Sequence, residues 1–156
     1  MLWFATTIIG LEDVSVEEVR GFNGTVEGVG KGRIFFRGDL ELMYMLNYAA
    51  RTINRLFILL LRNRVSSLDE IYRISKSIDY TEFIKSNQTF AIRSERYGVH
   101  DFTSVDISRV VGQAVIDSYK DTTGVRLKVN LDDPDVEIYA YLVNDCLLYT
   151  SDAADE

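Results

Sequence analysis

Thr89-Phe-Ala-Ile-Arg93, then Ser94-Glu-Arg-Tyr-Gly-Val-His-Asp-Phe102, then Thr103-Ser-Val-Asp-Ile-Ser-Arg-Val-Val-Gly-Gln-Ala114 is the stretch on which the fold class turns. Its first five residues have the apolar and aromatic character of a strand. Thr103-Ser-Val-Asp106 has the form of a capping box, in which a hydroxyl and a carboxyl three residues apart satisfy each other's backbone amides. Behind it Ile107, Val110, Val111, Ala114 and Ser118 recur at three- and four-residue steps. That spacing predicts a helix to about Asp121, before Thr122-Thr-Gly124. A strand, a loop over residues 94–102 and a capped helix make an α/β arrangement.

The pattern extends in both directions. Toward the C-terminus, Asp132-Asp-Pro-Asp135 reads as a turn, and Val136, Ile138, Ala140 and Leu142 alternate along a strand. Toward the N-terminus, Ser67-Leu-Asp-Glu70 is a second capping box, with Leu68, Ile71, Ile74 and Ile78 along one stripe, and Asp79 to Ile84 reads as a short helical turn. Before that, Trp3 to Ile9 reads as a strand and Leu11 to Phe22 as a helix with Leu11, Val14, Val19 and Phe22 on one face. Thr25 to Val29 and Arg33 to Arg37 read as two strands. Leu40 to Thr52 reads as an amphipathic helix, and Arg55 to Arg62 as a strand buried on both faces. Strand, helix, strand, strand, helix, strand is the split βαβ order of a ferredoxin-like unit. The predicted fold class is therefore α+β: a ferredoxin-like βαββαβ domain over residues 1–65, followed by an α/β domain over residues 66–145.

Composition excludes several function classes. The 156 residues are 47% hydrophobic and 26% charged, the balance of a globular protein. The longest apolar run, Leu56 to Leu61, is far short of the roughly 20 residues that cross a bilayer, and no membrane partner is expected. No signal peptide is read at the N-terminus, and one cysteine makes no internal disulfide, so a cytoplasmic location is the default expectation. The single histidine, His100, argues against a metal site. A net charge of −7 argues against a general polyanion binder. Residues 40–78, however, hold six basic and three acidic side chains, which leaves room for a local nucleic-acid footprint. Oligomeric state is not legible.

Three stretches carry a resemblance: Phe4-Ala-Thr-Thr-Ile-Ile-Gly-Leu-Glu12; Phe90-Ala-Ile-Arg-Ser-Glu-Arg96 with His100-Asp-Phe-Thr-Ser-Val-Asp106 and Gly112-Gln-Ala-Val-Ile-Asp117; and Val129-Asn-Leu-Asp-Asp-Pro-Asp-Val-Glu-Ile138. The second unit resembles a THUMP domain, and the unit before it resembles the ferredoxin-like domain that accompanies THUMP in RNA-modifying enzymes. The combination is most similar to archaeal-type tRNA guanine-N2-methyltransferases. The resemblance implies a tRNA partner held by its 3′ end and acceptor stem, with S-adenosylmethionine bound by a Rossmann-like domain that these residues do not contain. That family's catalytic loop is an Asn or Asp, two prolines and an aromatic residue or leucine. The only proline here is Pro134, in Asp-Asp-Pro-Asp, so neither a catalytic residue nor a cofactor site is expected within the chain. A THUMP front end of a thiouridine or pseudouridine enzyme, or a standalone adaptor presenting tRNA, is the alternative.

The candidate RNA-binding residues are Arg93, Arg96, Tyr97, His100, Ser104 and Arg109. Arginines suit bidentate phosphate contact, free amides at a helix start favour anions, and Tyr97 or Phe102 offers a ring for an unpaired base. The competing reading has Thr103 and Asp106 capping the helix, Phe102 in the core, and the arginines paired with Glu95, Asp101 and Asp106. A second basic set, Arg51, Arg55, Arg62 and Arg64, and Lys31 in its turn, read as ordinary surface charge. Gly28-Val-Gly-Lys-Gly32 precedes a strand rather than a helix and reads as a hairpin, not a nucleotide loop. Asp132, Asp133, Asp135 and Glu137 lack the spacing of a calcium loop.

Cys146-Leu-Leu-Tyr-Thr-Ser-Asp-Ala-Ala-Asp-Glu156 departs from the family's pattern, in which another strand comes next. It matches what one reading frame of a transposase-type sequencing adapter encodes. Residues 146–156 are therefore expected to be translated adapter rather than native, leaving the second domain incomplete at its C-terminus.

Overall fold

The computed structural model describes residues 2–152. Two compact units divide inside one strand, the first ending at Leu59 and the second starting at Leu60.

The first unit holds β1 (Leu2–Thr7), α1 (Glu12–Gly21), β2 (Thr25–Gly30), β3 (Arg33–Arg37), α2 (Leu40–Ala49) and the start of β4 (Ile53–Arg64). Its strand order is β2-β3-β1-β4, with every pair antiparallel, which is the ferredoxin-like arrangement. Alternation decides the faces: Trp3, Ala5, Ile34 and Phe36 are fully buried with Val19 of α1 and Leu46 of α2. Asp39 starts α2 by accepting from the Leu42 amide at 2.9 Å.

Three expectations need correction in this unit. α1 buries Ser15, Val16 and Val19, whereas Leu11 and Val14 are exposed. The helix is turned so that the Ser15 hydroxyl meets the Thr52 hydroxyl at 2.6 Å. α2 ends at Ala49, because Ala50 has already turned to extended backbone. β4 is buried on both faces only from Leu56 to Leu59, with its arginines exposed at either end.

The second unit holds the rest of β4, α3 (Leu68–Lys76), a 3-10 turn (Tyr80–Glu82), β5 (Thr89–Tyr97), α4 (Ser104–Thr123), β6 (Lys128–Val129), β7 (Val136–Val143) and β8 (Cys146–Asp152). β5 lies between β6 and β7 and is parallel to both, and β7 is antiparallel to β8. The core joins Ile107, Val111 and Val115 of α4 to Phe90, Ile138, Ala140 and Leu142 of the sheet. Both predicted capping residues are in place: the Ser67 hydroxyl accepts from the Glu70 amide, and Thr103 with Asp106 forms the complete reciprocal box. α4 runs to Thr123 and stops at Gly124, whose φ of 78° suits glycine.

Residues 94–97 are strand, not loop. β5 pairs with β7 from Phe90 to Tyr97, and the backbone bonds of that ladder carry it four residues beyond Arg93. Only residues 98–103 connect it to α4. The short edge strand β6 was not anticipated. Nor was β8, where Leu147, Tyr149 and Ser151 are buried in alternation and pair with Leu142, Ala140 and Ile138. The strand expected next in the family is thus formed by Cys146–Asp152 itself. Residues 153–156, the rest of that string, lie outside the described residues.

Candidate nucleic-acid interface

The six candidate residues divide between the two faces of the second unit's sheet. Successive side chains of a strand point to opposite faces. The Ser94 hydroxyl receives a hydrogen bond from Ser108 of α4 at 2.7 Å, so Phe90, Ile92, Ser94 and Arg96 face that helix. Arg93, Glu95 and Tyr97 therefore occupy the other face.

Arg93 stands apart from the remaining arginines. Its guanidinium donates to the Leu131 carbonyl at 2.8 Å and lies 3.5 Å from the Glu137 carboxylate. Tyr97 is 57% exposed, and its hydroxyl donates to Glu95 at 2.9 Å. The hydrogen bond to that carboxylate raises the Tyr97 hydroxyl pKa.

On the α4 side the structure brings Arg96, His100 and the helix start together. Arg96 donates to the Gly98 carbonyl at 3.2 Å and meets His100 Nδ1 at 3.3 Å. His100 Nε2 lies 2.6 Å from the Asn144 carbonyl in the β7–β8 turn. The capping box uses the amides of Thr103 and Asp106. The Ser104 and Val105 amides of the first turn remain without an intrahelical acceptor. Hydrogen bonds from the Thr103 amide and hydroxyl hold the Asp106 carboxyl below the usual range. Its negative charge therefore persists at the same helix end and opposes an incoming anion. Arg109 pairs with Asp106 at 3.4 Å but is 74% exposed, and an exposed pair of this kind constrains its cation little.

The competing reading of this segment holds in part. Thr103 and Asp106 do cap the helix, and Phe102 is buried. Of the arginines only Arg109 meets a carboxylate named in the competing reading. Arg93 finds Glu137 instead, and Arg96 contacts no carboxylate among the described residues.

Beside α4 runs a mainly apolar groove of about 340 Å³. Phe90, Ile92 and Gly112 line it together with Val129 and Leu131, and Arg109 contributes as well. Gly112 leaves it open: a Cβ there would sit 3.7 Å from Ile92.

Sequence reasoning missed Asn144. It adopts a left-handed φ of 55° in the two-residue turn closed by Val143 and Cys146, and its amide donates to the Tyr97 carbonyl at 2.8 Å. Asn-Asp between two alternating runs was the available signal. Gly98 has φ 108°, and a Cβ there would fall 2.6 Å from the Asn144 side-chain oxygen, so loop and turn press directly on each other.

The other charged groups serve structure. The Arg55 guanidinium lies 5.0 Å from the Phe57 ring centroid, and Arg64 is 3.9 Å from Asp145. Asn130 accepts from the Asp132 and Asp133 amides, and Asp135 accepts from Thr89, so the acidic stretch is a turn tied to the start of β5. Among the described residues no group of three His, Cys, Asp or Glu side chains is placed to hold a metal, and no helix is long and apolar enough to cross a membrane. Gly28–Gly32 closes the β2–β3 hairpin and leads into strand β3, not into a helix.

Comparison with known proteins agrees with this division. Residues 3–57 match the RlmL ferredoxin-like domain and residues 65–151 match the THUMP domain. A tRNA (guanine(6)-N2)-methyltransferase of Methanocaldococcus jannaschii is 46% identical over 160 aligned residues, covering 100% of this chain and 42% of the relative. A protein of the same name from Archaeoglobus fulgidus is 51% identical over 144 residues, covering 91% of this chain and 36% of its own length. The chain thus spans about two fifths of the length of these curated relatives. Among solved structures, a Listeria monocytogenes protein described as a predicted N6-adenine-specific DNA methylase superposes with a TM-score of 0.85 at 18% identity, covering 97% of this chain and 40% of that one, which is a likeness of fold. The chain belongs to the THUMP domain family, with an RlmL ferredoxin-like domain ahead of its THUMP domain.

Proposed function

We propose that this chain is a tRNA-docking module. It holds the acceptor stem and 3′ end for an S-adenosylmethionine-dependent tRNA guanine-N2-methyltransferase, and methyl transfer belongs to residues beyond these 156. The observation that carries the reading is the pair of relatives named tRNA (guanine(6)-N2)-methyltransferase, at 46% and 51% identity across 100% and 91% of the chain.

The geometry supports the docking role. Arg96 and Arg109 flank the start of α4, the Ser104 and Val105 amides lie between them in sequence, and the apolar groove beside α4 offers a surface for a base. Phosphates meet the guanidinium groups and the helix start, and an unpaired terminal nucleotide lies along the groove. With two lightly constrained cations and an acidic chain overall, the module binds in the micromolar range or more weakly. Its affinity falls as salt rises, because each phosphate contact releases counterions. Filter binding of the 156-residue chain to intact tRNA across a salt series tests this. Salt-insensitive binding, or none at millimolar protein, would remove the docking role.

A further inference from the structure

His100 and Arg96 form an arrangement whose chemistry differs from an ordinary ion pair. The Asn144 carbonyl can only accept, so at 2.6 Å His100 Nε2 carries the proton. In a neutral ring that leaves a lone pair on Nδ1, and the Arg96 Nη1 group 3.3 Å away donates to it. The same nitrogen donates to the Gly98 carbonyl at 3.2 Å. The Phe102 ring, 5.2 Å from the imidazole centroid, packs beside it. Arg96 is therefore oriented by two neutral acceptors, whereas Arg93 and Arg109 each face a carboxylate.

We propose that His100 is a positioning residue, which in its Nε2–H form aims Arg96, as a cation not offset by any carboxylate among the described residues, at a phosphate of the bound RNA. This rests on the docking role above. A carboxylate in place of the imidazole would hold the arginine equally well but cancel the charge it presents. An imidazole lone pair holds it without that loss. Asn144 belongs to the same device, since its carbonyl selects the tautomer.

Two measurements on the whole chain test the proposal. His100 is the only histidine, so its ring 15N signals need no assignment. They should show the Nε2–H form in the unaltered chain, and a predominantly Nδ1–H ring would overturn the proposal. The second measurement is a double-mutant cycle for tRNA binding. Arg96→Ala should weaken binding about tenfold, in the range of one charge-assisted contact. His100→Ala should weaken it roughly threefold, and by nothing further in the Arg96→Ala background. His100→Gln, whose amide donates to Asn144 and accepts from Arg96, should restore most of the loss. A purely structural histidine would instead lower affinity equally in both backgrounds, and that result sinks the positioning role. If the unaltered chain binds no tRNA, the docking reading fails and takes this role with it, while the ring signals still report whether the local hydrogen bonds are as described.

Discussion

Tyr149 lies at the centre of β8, fully buried, and its hydroxyl is 2.7 Å from that of Tyr80. Tyr80 in turn donates to the Ser75 carbonyl at 2.6 Å. A carbonyl only accepts, so Tyr80 spends its single proton there and the Tyr149 hydroxyl must donate to Tyr80. The chain of bonds has a direction, and the two Tyr→Phe substitutions therefore differ. Tyr149→Phe removes one donor and leaves Tyr80 its bond to Ser75, which costs about 1 kcal/mol. Tyr80→Phe removes the bond to the carbonyl and strands the Tyr149 hydroxyl in the core, which costs roughly 2–4 kcal/mol. The double substitution should be more stable than Tyr80→Phe alone by roughly 1–2 kcal/mol, because the stranded hydroxyl goes as well. Urea unfolding followed by circular dichroism reads these differences, and 1 kcal/mol corresponds to about 4–8 °C in the melting of a unit of this size. Equal costs for both single substitutions, or a double substitution less stable than either, would refute the assigned direction. No cost at Tyr149 would refute the packing of β8 into the core. Burial also raises both hydroxyls above the ordinary tyrosine value of 10. Their contribution is complete below pH 10 and falls as pH rises toward the raised folded values, so alkaline unfolding should begin later in the double variant.

Arg109→Ala should weaken tRNA binding about three- to tenfold, and Arg93→Ala should change it by less than about twofold because Arg93 lies on the opposite sheet face; parallel filter-binding titrations check both. Glu18 accepts from the Arg51 and Thr52 amides and the Thr52 hydroxyl. Burial raises its carboxyl pKa, and those bonds more than offset this, leaving it below the ordinary value of 4.5. Its stabilisation is present above that value and lost as pH falls below it. Glu18→Gln should therefore lower stability at pH 7 by roughly 1 kcal/mol after solvent screening and flatten the acid limb, as read by urea midpoints at pH 7 and pH 3. Ser75→Ala should raise the melting temperature in a thermal scan by an amount equivalent to about 1 kcal/mol, since the Ser75 hydroxyl is fully buried without a hydrogen-bond partner among the described residues.

Local chemistry made most of the fold legible. The caps at Ser67 and Thr103 and the alternation from Val136 to Leu142 are short-range signals; Thr103 and Asp106 form the full box, whereas at Ser67 only the hydroxyl half forms and the Glu70 carboxylate takes the Ser66 amide instead. The misreadings came from long-range pairing. Glu95, Arg96 and Tyr97 look like loop residues by composition, but β7 supplies a ladder that holds them extended. In Cys146–Asp152 the alternation of Leu147, Tyr149 and Ser151 is a strand pattern that pairing with β7 completes. Resequencing the locus tests whether residues 146–156 are translated adapter, and a natural gene coding them would end that expectation. The candidate site was legible as a list of residue types but not as a surface. Which face of β5 each side chain takes follows from register against α4, and that register separates Arg93 and Tyr97 from Arg96, Ser104 and Arg109.

Docking of a tRNA terminus is most directly tested by titrating this chain, at one salt concentration, with intact tRNA and with the same tRNA trimmed at its 3′ end. Recognition of the terminus predicts clearly tighter binding of the intact molecule, with the difference shrinking when Arg96 and Arg109 are both replaced by alanine. Equal affinity for the two RNAs would contradict it.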